Sequence, residues 1–196
     1  MTGRILLVFL MFFSLYETNA QNFIESIASD KLTIESVAYK AYSTAFDASA
    51  KTIEKAWWRH IREFGRPLNM RSYYIITIPA ELNDGTVATE LFSRVLATKT
   101  GSRFYLALNT KDIPAEKVAG YNKEIESIIQ TFKKSYYITL FENQLAKEEK
   151  QAVRTSKKVS KAKGKQREKA LEELEQIDAN KEAIQVKLKE VYKAYQ

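Results

Sequence analysis

The stretch YYIITIPAELNDGTVATELFSRVLATKTGSRFYLALN, residues 73–109, carries three strand signals in close succession. Tyr73 to Ile78 is a compact apolar run closed by Pro79. Thr86 to Thr98 alternates Val87, Thr89, Leu91, Ser93 and Val95 against Ala88, Glu90, Phe92, Arg94 and Leu96, and Arg103 to Asn109 places Phe104, Leu106 and Leu108 at a period of two. Asn83-Asp84-Gly85 precedes the middle strand and Lys99-Thr100-Gly101 follows it, each offering a glycine where a tight turn asks for positive φ. Strands this close, joined by turns this short, predict an antiparallel meander.

Upstream, Thr33 to Phe46 alternates Val37, Tyr39, Ala41, Ser43 and Ala45 with Ala38, Lys40, Tyr42, Thr44 and Phe46. Its Tyr, Val, Thr and Phe content favours a strand over a helix. A helix then runs to about Phe64, capped by Asp47 or Ser49. It aligns Ile53, Ala56, Trp57, Ile61 and Phe64 on one face, with Gly65 as the stop. Trp57 is the expected core anchor, and Trp58, about 100° around the helix, is expected to stand half exposed.

From Asp112, a cap followed by Pro114, the chain reads as helix almost to its end. Val118, Tyr121, Ile125, Ile128, Ile129 and Phe132 form an apolar stripe that predicts cover for one sheet face. Leu174, Ile177, Lys181, Ile184, Leu188, Val191 and Tyr195 step alternately by three and four, a heptad seam with one lysine in it. Gly164 is the strong breaker between the two segments, which places a hairpin tip near Lys161 to Lys165; one long straight helix is the competing geometry. The expected fold class is α+β: a small antiparallel sheet in strand-helix-strands-helix order, packed by helices, with a long C-terminal helical hairpin or coiled-coil extension.

Residues 1–20 read as a cleavable signal peptide. Arg4 precedes an apolar run from Ile5 to Phe13, and Thr18-Asn19-Ala20 offers small residues for cleavage. The run is shorter than the ~20 residues needed to span a bilayer, so no transmembrane span is expected after cleavage. The expected organisation is a signal peptide over 1–20, an α+β domain over 21–146 and a basic helical extension over 147–196. The expected location is the periplasm, or the medium if the protein is secreted.

The stretch from Thr44 to Phe64 with its Lys55-Ala56-Trp57, taken with the following strands and the closing helix, resembles uncharacterised exported proteins of Gram-negative bacteria. The resemblance covers roughly Ile34 to Phe132 and implies export without implying an activity. Members of that family have fuller central strands, which implies a smaller sheet here.

The chain has no cysteine and a single histidine, His60. No disulfide framework or thiolate metal site is therefore available. His60 lies beside the apolar face of its helix, where it reads as a boundary residue with its ring nitrogens satisfied locally. Asp47, Asp84 and Asp112 read as cap or turn residues, and Glu172, Glu173 and Glu175 as surface partners of nearby lysines. No cofactor, metal site or catalytic residue is expected, and the chain reads as a non-enzyme. Paired aromatics such as Tyr73-Tyr74 and Tyr136-Tyr137 raise a ligand-binding cleft on the uncovered sheet face as one use of the core.

Charge supplies the remaining signal. Between Lys150 and Lys169 nine cations face Glu168 alone, a net +8 in a chain whose total is +7. Lys157, Lys158, Lys161, Lys163, Lys165 and Arg167 are the candidate anion-binding residues. From Val153 to Glu190 there is no aromatic ring, which argues against specific nucleic-acid binding, and no strong apolar face for membrane insertion. Two kinds of partner remain: a protein, or a second copy of the chain, through the C-terminal helices; or an anionic envelope surface through the tip. The expected role is a binding or assembly module of the cell envelope.

Overall fold

The computed structural model describes residues 26–79, 88–111 and 113–195. The expected signal peptide, the Asn83-Asp84-Gly85 turn and the Asp112 cap lie outside the described residues. The elements in chain order are β1 (Ala28–Ile34), β2 (Val37–Phe46), α1 (Ala50–Ile61), β3 (Arg66–Asn69), β4 (Tyr74–Ile78), β5 (Thr89–Ala97), β6 (Ser102–Leu108), α2 (Ala115–Lys161) and α3 (Lys165–Ala194). The fold is α+β. The chain divides into two compact units, one through Lys133 and one from Lys134 onward. The division falls within α2, ahead of the 146/147 boundary read from the sequence.

In the first unit six antiparallel strands form one sheet in the order β1-β2-β6-β5-β4-β3. The meander expected from residues 73–109 is β4-β5-β6. Two elements differ from expectation. The extended run Thr33 to Phe46 is a hairpin, not one strand: Ile34 pairs with Val37 across Glu35 and Ser36, whose φ angles of 49° and 69° make the two-residue primed turn that matches strand twist. The added strand β3 contains Pro67, which lacks an N–H and suits the edge it occupies. The opposite edge is blunted differently, because the Asp30 carboxylate accepts the Lys31 backbone N–H at 2.8 Å.

One face of the sheet is covered by helices. Ser49 caps α1, its side chain accepting from Thr52 N, and Ile53, Trp57 and Ile61 point into the sheet. Trp57 is 1% exposed, 4.7 Å from the Phe104 ring and 5.0 Å from Phe132 of α2, and its indole Nε1 donates to Ser93 Oγ at 2.8 Å. Tyr121, Ile125, Ile129 and Phe132 of the expected α2 stripe are buried on the same side. The space between sheet and α2 near Ile78, Leu91 and Ile125 amounts to ≈ 10 Å³, about enough for one water and too little for a ligand.

The other face buries itself. Leu32, Ile34, Ala41, Tyr73, Phe92 and Ala107 form a second cluster drawn from the strands and the residue before β4, with Tyr39 edge-on to Phe92 at 4.8 Å. Tyr73 Oη donates to Glu35 Oε1 at 2.8 Å. In strand order four spacings separate β1 from β4, about 19 Å if the sheet were flat. Two side chains cannot bridge that span, so the sheet is coiled until opposite corners meet. On the face that the sequence raised as one possible ligand-binding wall, the cluster packs the interior of that coil.

Gly101 also corrects a reading. It is needed for space rather than for positive φ: a Cβ there would collide with the Phe46 carbonyl oxygen, backbone that cannot move aside.

Trp57→Ala is expected to lower unfolding free energy by roughly 3–5 kcal/mol in urea denaturation, from lost burial and the cavity left behind. Trp58→Ala, one residue on, is expected to change it by less than about 1 kcal/mol. Equal effects would contradict the assignment of Trp57 as the inward ring.

Candidate functional site

The second unit is a helical hairpin. Lys134 Nζ donates to the Tyr195 carbonyl at 3.3 Å near one end, and Thr155 Oγ1 and Lys158 Nζ both reach Glu173 near the other. This excludes the single straight helix. The heptad seam read from the sequence is turned inward on the chain's own α2: Ile177 and Val191 are buried, and Leu174, Lys181, Ile184, Leu188 and Tyr195 are half-buried. On α2, Thr155 is buried and bonded to Glu173 of α3, and Tyr137 and Phe141 are buried as well. Burial pushes the Tyr195 phenol up to about 12. Lys181 pairs with Asp178 at 3.2 Å, so the one lysine in the seam is compensated from its own helix.

The tip is built in three residues. α2 ends at Lys161, and Gly164, with φ 52° and ψ −138°, starts α3 from a conformation that a side chain would strain. Arg167 N and Glu168 N bond back to the Gly164 carbonyl at 2.9 and 3.2 Å, and Ser160 Oγ donates to the Lys157 carbonyl at 2.9 Å. The six candidate residues are therefore brought together on the last turn of α2, the connection and the first turn of α3.

All six are exposed, and among the described residues Lys158 alone of them has an acidic partner, Glu173 at 3.4 Å. Among the described residues Lys157, Lys161, Lys163, Lys165 and Arg167 have no ion pair. Glu173 works across the hairpin, whereas the sequence placed it with lysines of its own helix. At ordinary salt the exposed Lys158–Glu173 pair contributes ~0–1 kcal/mol. Its importance lies in leaving the rest of the cluster unneutralised. The array concentrates positive charge on an exposed surface, and no aromatic residue lies among its members.

The core holds polar groups that sequence reasoning missed or misread. Lys133, 1% exposed, donates from Nζ to Thr44 Oγ1 at 2.8 Å and lies 5.7 Å from the Phe46 ring, so it fastens α2 to β2 from beneath the sheet. Nothing in the apolar stripe around it marked that position as buried. His60 was expected to have its ring nitrogens satisfied. Instead Nε2 is buried without a hydrogen-bond partner, and the ring sits 5.2 Å from Phe64, 5.4 Å from Phe132 and 6.0 Å from Trp57. Burial holds its pKa below the ordinary 6.5, against the weaker opposing pull of Glu63. A histidine in this position serves packing. Among the described residues no group of three or more His, Cys, Asp or Glu side chains comes together as a metal site, and no helix is long and apolar enough to cross a membrane.

Comparison with known proteins returns no matching family model, no matching curated protein and no matching solved structure.

Because the folded chain resists protonating His60, the unfolded state binds the extra proton first as pH falls. The His60 contribution to stability is then full above pH 6.5, is lost as pH falls from there toward the lower folded-state value, and levels off below it. His60→Phe is expected to flatten this segment of the stability–pH curve. An unchanged slope in the variant would mean that the ring is accessible to protons in the folded protein.

Proposed function

We propose that this chain is an exported, non-enzymatic binding protein whose working surface is the basic hairpin tip and whose target is an anionic surface of the cell envelope. The observation that carries this reading is the exposed cluster Lys157 to Arg167, in which a single cation of six is ion-paired among the described residues. Residues 1–20, read as a signal, support export. The seam supports the choice of partner. Self-association through the C-terminal helices would need that seam, and it is already occupied by α2.

The chemistry of the tip favours a layer of fixed negative charge over a nucleic acid, which would draw on ring stacking that the tip lacks. Lysines near an anionic lipid surface contribute about 1 kcal/mol each, so six moderate contacts suffice for binding that salt weakens steeply. The tip offers no wide apolar face, so the contact is electrostatic and reversible.

The test is cosedimentation of the chain with vesicles of equal parts phosphatidylglycerol and phosphatidylcholine, against pure phosphatidylcholine, over a salt series. Replacing Lys157, Lys158, Lys161, Lys163, Lys165 and Arg167 by Gln is expected to weaken binding at least about a hundredfold and to flatten its salt dependence. Binding that survives this replacement unchanged would sink the reading. Sedimentation of the free chain should give a monomer.

A further inference from the structure

The solvent side of α1 carries a second basic surface, of different character from the tip. Lys51, Lys55, Trp58 and Arg62 recur at i, i+4, i+7 and i+11, which at 100° per residue lines them along one stripe, with Arg59 beside it. All five are exposed. Two acids border it, Glu54, half-buried, and Glu63, exposed, and neither falls on the line from Lys51 to Arg62. The charged residues on the stripe itself are all cations, with one large ring among them.

That ring is unusual for its setting. Trp58 is 39% exposed beside a Trp57 that is 1% exposed, and the Arg62 guanidinium lies over it at 4.5 Å. Phe64, 40% exposed, follows at the C-terminal end of the helix. An indole flanked by lysine and arginine combines an apolar body, an N–H donor and fixed positive charge. This is the composition that settles at the headgroup level of a bilayer, where rings sit among glycerol and carbonyl groups and long cationic side chains reach phosphates.

We infer that the outer stripe of α1 is a membrane-contact site that takes the phosphate headgroups of anionic lipid, with Trp58 entering the headgroup layer. Charge complementarity selects an anionic occupant, and size selects among anions. From Lys51 to Arg62 the stripe is about 16 Å long, one helix wide, far below the ~800 Å² that a stable protein partner covers on each side. A single-stranded nucleic acid would want successive open rings, and the one ring here already carries Arg62 over it. A lipid surface needs neither breadth nor a series of platforms. The inference rests on α1 alone and stands or falls separately from the tip.

The two tryptophans make the experiment clean. Emission of the full chain is followed on titration with vesicles of equal parts phosphatidylglycerol and phosphatidylcholine, beside pure phosphatidylcholine vesicles and a single-stranded oligonucleotide. A blue shift on the anionic vesicles alone is expected, quenched by lipids brominated near the headgroup and absent in Trp58→Phe, in which only buried Trp57 reports. Replacing Lys51, Lys55 and Arg59 by Gln should weaken vesicle binding about tenfold or more. The six-residue tip variant should keep the Trp58 shift at saturating lipid. Vesicle binding with a silent Trp58 would overturn the stripe while leaving the tip reading intact. A shift driven by the oligonucleotide and not by vesicles would overturn it in favour of nucleic acid. Circular dichroism and urea unfolding of each variant confirm that the fold is retained, since all the substituted side chains are exposed.

Discussion

A six-stranded sheet has two faces to remove from water, and in the first unit α1 and the beginning of α2 lie over one of them. The other face carries Leu32, Ile34, Phe92 and Tyr73 and is closed by the sheet's own coil. The contact that registers this closure is the 2.8 Å bond from Tyr73 to Glu35. Much else follows from it. The β1–β2 turn has to reverse the chain without splaying a strongly twisted pair, which the left-handed Glu35 and Ser36 accomplish. The Glu35 carboxylate accepts the phenolic proton, and that bond, ahead of burial, holds Tyr73 above its ordinary pKa. A coiled sheet also leaves two edges. Pro67 removes one donor from one edge and the Asp30 carboxylate takes up the Lys31 N–H on the other, which makes both poorer templates for another strand.

Closing one face with strands alone concentrates the helix contacts on the other. Trp57 sits where α1, β5, β6 and α2 converge, and its bond to Ser93 satisfies a hydroxyl that the sheet buries. Adjacent residues on a helix point about 100° apart, so a Trp-Trp pair placed with one ring inward must direct the second away from the core. The ring that anchors the fold thereby fixes the orientation of the ring that faces solvent. Arg62 over Trp58 covers part of an apolar surface that the core does not need.

The parts of this fold legible in the sequence are those where periodicity and a breaker agreed. The meander within residues 73–109 was legible because three short apolar runs of strand character follow one another closely. The tip was legible because Gly164 interrupts an otherwise continuous helical pattern, and the seam because its spacing is regular over three turns and more. The first hairpin was hidden because Glu35 and Ser36 hold positive φ without the asparagine or glycine that usually announces it. Edge strand β3 was hidden because Pro67 speaks against a strand unless its edge position is already known. Lys133 and the orphaned His60 Nε2 depend on which side chains tertiary packing brings together, and no local pattern encodes that. The α1 stripe is different, since Lys51, Lys55, Trp58 and Arg62 keep helical spacing in the sequence.

The hairpin shows why the position of the charge matters more than its amount. From Lys134 to Lys161 the arm is about 40 Å long, whereas salt at physiological strength screens charge beyond about 8 Å. The tip cations therefore act on what they touch and have little influence at the base of the arm. Glu172, Glu173, Glu175 and Asp178 follow on α3, and the Lys158–Glu173 bridge marks where this acidic stretch meets the basic end. On the hairpin, the densest positive charge thus lies at the last turn of α2 and the first of α3. A chain of modest overall charge can then carry a strongly cationic contact without attracting anions over its whole surface. Screening has the same consequence for α1, where the stripe draws on its own four cations. Each cationic surface is thus a short-range source of potential that acts within about one screening length of its own side chains.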